Sequence, residues 1–265
     1  EMKLKLFISL ALVMTSIRLN ADSDFCGITN ACFSSGERII LKVYYNVVGL
    51  YVDAGTAIFS AQVESYNGKP VYHAVGEGYS NSSYDWIFKV RDRYETYMDT
   101  TNLKPYRFIR NIDEGGYKKY ENASFNHEAK SVVTTAGVYK TPDCIHDVIS
   151  AVYYARNINF DNYKVGDKIY LSLFLDNEVH DIYIRYMGKE TIKTRYGKFR
   201  TIKFKPLLIK GSMFEGGEKM TVWVSDDANH LPLRIESPIV VGNVKVDMMG
   251  YRNLRYPLSS MIKFR

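Results

Sequence analysis

The sequence predicts an all-β, mainly antiparallel fold: a curled sheet or barrel-like β domain with one amphipathic helix packed against it. Three observations carry that expectation. Apolar and polar residues alternate along Glu37 to Glu64 and again through most of the later chain. Turn residues recur between these runs at hairpin spacing. One stretch only, after Thr141, shows the helical period instead.

The chain opens with basic Met2-Lys3-Leu4-Lys5, an apolar run from Leu6 to Met14, and Leu19-Asn20-Ala21, which offers a small residue for cleavage. These features read as a secretory signal peptide over residues 1–21, too short to span a bilayer as a helix. Residues 22–265 then read as a single antiparallel β domain, or as two sheet halves joined by a helix over 142–157. The expected location is periplasmic or otherwise exported across the inner membrane, with no membrane-spanning segment after signal cleavage. Cys26 and Cys32 lie in a polar loop, and an oxidising compartment favours bridging them. Cys144 is left over as a buried, inert thiol. No Leu-Ala-Gly-Cys-like site precedes Cys26, which argues against a lipid anchor.

From Ile39, the odd positions Ile39, Leu41, Val43, Tyr45 and Val47 alternate with Arg38, Lys42 and Asn46. Ala57, Phe59, Ala61 and Val63 do the same against Thr56, Ser60, Gln62 and Glu64. Successive strand side chains point to opposite faces, so each run has a buried face and a wetter one. Gly49, Asp53 and Gly55 between the two runs mark a bend or bulge. Asn67-Gly68 is the strongest hairpin signal and sends Val71 to Tyr79 back as a strand. Asn81 or Ser82 caps a short helix through Trp86 and Phe88. Arg93 to Asp99, Pro105 to Asp113, Tyr117 to Asn126 and Ser131 to Thr135 continue as a meander.

Thr141, Pro142 and Asp143 then read as N-cap, first helical position and favourably charged first turn. Ile145, Val148, Ile149, Val152 and Tyr153 make one apolar stripe. The helix is expected to plug the open side of the curved sheet or to bridge two sheet halves. Hairpin signals resume at Lys168 and run to Arg252, for about twelve to fourteen strands in all.

Little catalytic chemistry is legible. There is no Gly-x-Ser-x-Gly elbow, no phosphate-cradling glycine loop and no His-Glu-x-x-His. The five histidines do not share ligand spacing, so no metal and no cofactor are expected. Acids such as Asp85, Asp92, Asp99, Asp113 and Glu114 follow no spacing that singles out a pair. Formal net charge is +6. The first 21 residues hold three basic groups and one acidic, so the remainder carries about +4, scattered; nucleic acid is not an expected partner.

The informative excess is aromatic: 22 tyrosines, 13 phenylalanines and two tryptophans. Cross-strand pairing accounts for most of them. A functional fraction would line a cleft or barrel mouth for an amphipathic ligand. The residues nominated for it are Tyr84, Trp86, Asp92, Arg93, Tyr153 and Trp223. Catalytic residues are not nominated.

The runs Gly36 to Ala61, Tyr84 to Arg93, Asp113 to Gly116, Pro142 to Arg156 and Trp223 to Asp227 resemble the exported bacterial family catalogued as domain of unknown function 3108. The likeness covers nearly all of the mature chain. It implies an envelope protein of Gram-negative bacteria with a barrel-like all-β fold, similar to capsule-operon lipoproteins of the YmcC type. The half-barrel lipoprotein carriers are more distant in shape. The family supplies no catalytic residues to carry over. The lipid-anchoring cysteine of the capsule lipoproteins has no counterpart here.

These readings lead to an exported, non-catalytic binding or assembly factor for an amphipathic ligand, a lipid or glycolipid, with envelope proteins as the other class of partner. One alternative is a structural or interaction module in cell-surface polysaccharide export. Another is an enzyme acting on envelope glycans.

Overall fold

A computed structural model describes residues 27–47, 49–86, 89–210, 216–239 and 242–264. Residues 1–21, read from the sequence as a signal peptide, and Cys26 lie outside the described residues. Two antiparallel meanders meet at the first strand. The first comprises β1 (Glu37–Val47), β2 (Leu50–Tyr66), β3 (Lys69–Ser80), β4 (Arg91–Asp99), β5 (Pro105–Glu114), β6 (Tyr117–Asn126), β7 (Ser131–Thr134) and β8 (Gly137–Lys140). A short β9 (Ile145–His146) and the helix α1 (Val148–Ala155) follow. The second meander comprises β10 (Lys168–Leu175), β11 (Glu178–Lys193), β12 (Gly197–Pro206), β13 (Thr221–Ser225), β14 (Pro232–Pro238) and β15 (Asn243–Arg252), with β16 (Met261–Phe264) added at β12.

All sixteen strands belong to one sheet, with β8 at one end of the path and β9 at the other. The meanders are joined by antiparallel pairing of β1 with β15, from Arg38 opposite Arg252 to Tyr45 opposite Val244. Only β9 and β10 pair in parallel among the named strands. The expected all-β antiparallel architecture is therefore present, with more strands than the turn signals predict. The bend expected near Gly49 to Gly55 is a tight hairpin at Gly49, followed by a bulge between the Val43–Gly55 and Tyr44–Asp53 pairs.

The helix departs from its predicted limits. It starts at Val148, and the cap is Asp147, not Thr141. Cys144 has φ +59, a left-handed conformation that interrupts a helix begun at Pro142. Ile145 and His146 extend to pair with Ser172 and Leu173. Asp147 Oδ1 then accepts from the Ile149 and Ser150 amides at 2.8 and 2.9 Å, and Ser150 Oγ accepts from the Asp147 amide at 3.0 Å. Among the described residues between Ser80 and Arg91 the helical element is a 3-10 turn, Ser82–Tyr84, with no side-chain cap; Phe88, where the predicted helix ends, lies outside them.

α1 packs against β3, β4, β9 and β10 and plugs the curled sheet as predicted. Ile149, Ala151, Tyr153 and Tyr154 join a core with Phe33, Phe108, Phe160 and Phe174. Gly76 lets the helix approach: a Cβ there would lie 3.0 Å from Ile149 Cδ1 and 3.2 Å from Phe59 Cε1. A buried, bidentate pair anchors the helix end. Arg156 donates to Glu37 Oε1 and Oε2 at 2.6 and 2.9 Å and to the Asn229 carbonyl at 3.0 Å.

The predicted Cys26–Cys32 bridge is not formed. Cys32 is a free, buried thiol whose Sγ donates to the Arg156 carbonyl at 2.8 Å. The residue in a disulfide is Cys144, which also corrects its reading as an inert thiol. Nearness in sequence favoured the wrong pair, because the fold seats Cys32 under the C-terminal end of α1.

Candidate functional site

The six nominated residues are not brought to one place. Asp92 and Arg93 are neighbours on β4 and so face opposite sides of the sheet. Arg93 lies on the outer face, donating to Glu77 Oε1 at 2.6 Å and Glu95 Oε1 at 2.8 Å. Tyr153 is part of the core, 4.7 Å from Phe33 between ring centroids. Trp223 is buried beneath Glu190 and Lys203; its Nε1 donates to Glu190 Oε1 at 2.6 Å. Tyr84 and Trp86 stand together on the β3–β4 connection, exposed, with Trp86 at 83 %.

That connection belongs to a rim of hairpin tips at one end of the sheet. The register puts the β1–β2 tip beside it, since Gly55 lies opposite Ser80. Asn81 fastens the two: its amide donates to the Ala54 carbonyl at 2.8 Å, and its side chain donates to Asp53 O and Oδ1, both at 2.9 Å. Leu50, 73 % exposed, and Tyr51 occupy the neighbouring tip. Lys245 from the β14–β15 hairpin lies over the Tyr51 ring at 5.4 Å. On the other side the Gly115 amide donates to the Lys89 carbonyl at 2.8 Å, which joins the β5–β6 tip. Large apolar side chains thus stand in water on adjacent, mutually fastened turns.

Below the rim, the inner face carries a polar cluster of which the sequence nominates only Asp92. Tyr94, Arg110 and Glu121 sit side by side on β4, β5 and β6, as the register dictates. Asp92 and Glu114 come together at the ends of β4 and β5 and hydrogen-bond through their side chains. Burial, then the charge of Glu114, pushes the Asp92 carboxyl up to about 7. Arg110 donates to Glu121 Oε2 at 2.6 Å in a buried pair and also bonds Asp176 at the β10–β11 tip. Strand alternation could have put Asp92 with Tyr94, and Glu114 with Arg110, on single faces. Nothing local brings β4 and β5 into the register that joins them.

The outer face holds a shallow groove of about 210 Å³ lined by Ser60, Gln62, Glu64, His73, Val75, Glu77 and Arg93. His73 bonds Glu64 at 3.1 Å and Glu95 at 2.8 Å, and stacks on Tyr97 at 4.3 Å. Among the described residues no group of three or more His, Cys, Asp and Glu is placed to hold a metal. No described helix is long and apolar enough to cross a membrane.

A family model, "Protein of unknown function (DUF3108)", matches residues 41–249. The chain belongs to this family. The DUF3108 match spans both meanders, so β1 to β15 and the helix fall almost wholly within it. Comparison with curated proteins gives no match. Among solved structures, a β-barrel-like protein of the DUF1849 domain from Brucella abortus aligns over 85 % of this DUF3108 chain and 100 % of its own, with 9 % identity and a TM-score of 0.55. That likeness is one of fold. An exported protein described as having a YmcC-like fold, from Bacteroides fragilis, aligns over 84 % of this chain and all of its own, with 13 % identity and a TM-score of 0.31.

Proposed function

We propose that this DUF3108 chain is an exported, non-catalytic binding or assembly factor of the cell envelope, and that it takes its amphipathic partner, a lipid or glycolipid, at the hairpin rim. The observation that carries the reading is the exposure of Trp86 beside Leu50 on fastened tips. Leaving such groups in water forgoes their burial energy, and clustered exposed apolar groups mark interaction surfaces. Tryptophan and tyrosine, each with an apolar body and a polar tip, suit a boundary between water and acyl chains.

The filled interior supports a surface site over a hollow one, because α1 and its aromatic neighbours occupy the inside of the sheet. Export is supported by the apolar run from Leu6 to Met14 and by the disulfide at Cys144. The glycan-hydrolase alternative fares poorly at the Asp92–Glu114 pair. Two hydrogen-bonded carboxyls are closer than the roughly 5 Å or more that either glycosidase geometry uses.

Co-sedimentation with phosphatidylethanolamine–phosphatidylglycerol vesicles, and separately with lipopolysaccharide micelles, tests the reading. Trp86→Ala and Leu50→Ser should each weaken binding to one of them at least about tenfold while the fold is kept. Undiminished binding by both variants, or no binding by the wild type to either, would sink the rim site.

A further inference from the structure

The sheet is nearly a barrel, and its two path ends approach each other without backbone pairing. β8 pairs with β7 and β9 with β10, and among the described residues no ladder joins β8 to β9 or β10. Side chains close the gap instead. Phe174 of β10 packs on Phe125 of β6 at 6.2 Å and on Tyr139 of β8 at 5.5 Å. At the β10–β11 tip, Asn177 Oδ1 accepts from Thr134 Oγ1 at 2.8 Å. Next to it, Asp176 takes bonds from both Arg110 of β5 and Lys119 of β6.

We propose that this seam is a latch, pinned by Asp176, that opens sideways and uncovers the polar interior around Arg110 and Glu121. Every other neighbouring pair along the sheet must break a ladder of backbone hydrogen bonds to separate. Among the described residues the bonds found across this one are a hydroxyl–amide bond, ring contacts and two ion pairs, and partly exposed ion pairs hold weakly and are screened by salt. Local opening is drawn from such low-stability parts of a structure. Burial opposes the charge of Asp176, but the bonds from Lys119 and Arg110 hold its carboxyl below the ordinary value, so the pin is ionised at neutral pH.

The interior behind the pin has a use for visitors. Arg110 Nε and Glu121 Oε1 are buried without a hydrogen-bond partner, and buried polar atoms are ordinarily satisfied. On the same face of β6, Phe125 stands four residues along from Glu121 and meets Phe174, which in turn packs on Tyr139. An open seam therefore offers polar groups at one end and rings at the other, suited to a molecule with a polar head and an apolar body. This uptake step rests on the amphipathic-partner reading; the opening itself does not.

Amide hydrogen exchange on the full chain tests both. In the wild type, raising salt should speed exchange in β8 and at the β10–β11 turn at least about tenfold and leave β1 to β3 unchanged. Asp176→Asn should exchange at the fast rate in low salt and lose the salt dependence. Lys119→Gln, which removes one cation at a half-exposed position, should shift the same amides to a smaller degree. If Asp176→Asn does not fold, the wild-type salt series and Lys119→Gln decide alone. Seam amides that match β1 to β3 under all conditions overturn the latch. With lysophosphatidylethanolamine as the probe, slowed exchange at the seam supports uptake there. Protection confined to the Trp86 connection overturns seam uptake and leaves the rim reading standing.

Discussion

Trp86 and Trp223 occupy opposite environments, and single substitutions separate them. Trp86 touches mostly water, so Trp86→Ala should change stability by no more than about 0.5 kcal/mol. Trp223 fills a site closed by Glu190 and Lys203, and its loss should cost about 3–5 kcal/mol in urea unfolding. Equal effects would mean that the two sites are not as different as their exposure states. Asp92 invites a pH test. Its carboxyl binds a proton more tightly folded than unfolded, because burial and Glu114 oppose its charge. Stability from this group is therefore complete below its ordinary pKa of about 3.9 and is lost as pH rises towards about 7. Asp92→Asn cannot ionise, so its stability relative to the wild type should rise across that window. Urea midpoints measured through the window check it, and a constant difference would mean that Asp92 ionises normally.

At the scale of elements, α1 depends on one residue more than its propensity suggests. Eight residues make a marginal helix in isolation. Asp147 caps it and also accepts from Thr96 Oγ1 of β4 at 2.6 Å, so one buried side chain starts the helix and docks it on the sheet. Asp147→Ala loses a cap, worth about 0.5–2 kcal/mol, and leaves the buried Thr96 hydroxyl with only the Arg107 carbonyl at 3.4 Å, for about a further 1 kcal/mol. Thermal unfolding should reveal more than about 2 kcal/mol of loss; less than 1 would show that tertiary packing alone places the helix. The stripe after Thr141 did reveal that a helix exists. Its start was hidden, because the left-handed Cys144 and the pairing of Ile145 with Ser172 are consequences of distant chain.

The whole molecule is held by contacts between residues far apart in the chain. Arg156 and Glu37 are far apart in sequence and fully desolvated together, and Cys32 lies against the same helix end. With Cys144 in a disulfide and Cys32 free, the denatured, unreduced chain should react with a thiol reagent at one cysteine, and at three after reduction. The native protein should be slow to react, since Cys32 is buried and its thiol is pushed up to about 11, mainly by that burial. Mass spectrometry of the labelled chain counts the groups directly; three labels before reduction would contradict the bridge at Cys144.

By itself the sequence determined the period of each strand, most of the hairpin turns, the presence of one helix and the family resemblance. Those properties are local: alternation is a matter of backbone geometry, and Asn67-Gly68 or Gly115-Gly116 turns the chain whatever lies beyond. It also put Tyr84 and Trp86 on one connection, where the structure keeps them. Tertiary structure alone decided that β1 pairs with β15, that the Asp92 face of β4 turns inward and meets Glu114, and which cysteine stays free. Each of these depends on how separate elements pack together. A shift of one residue exchanges the two faces of a strand; turn geometry fixes the register within a hairpin, but the pairing of β1 with β15 has no turn to set it.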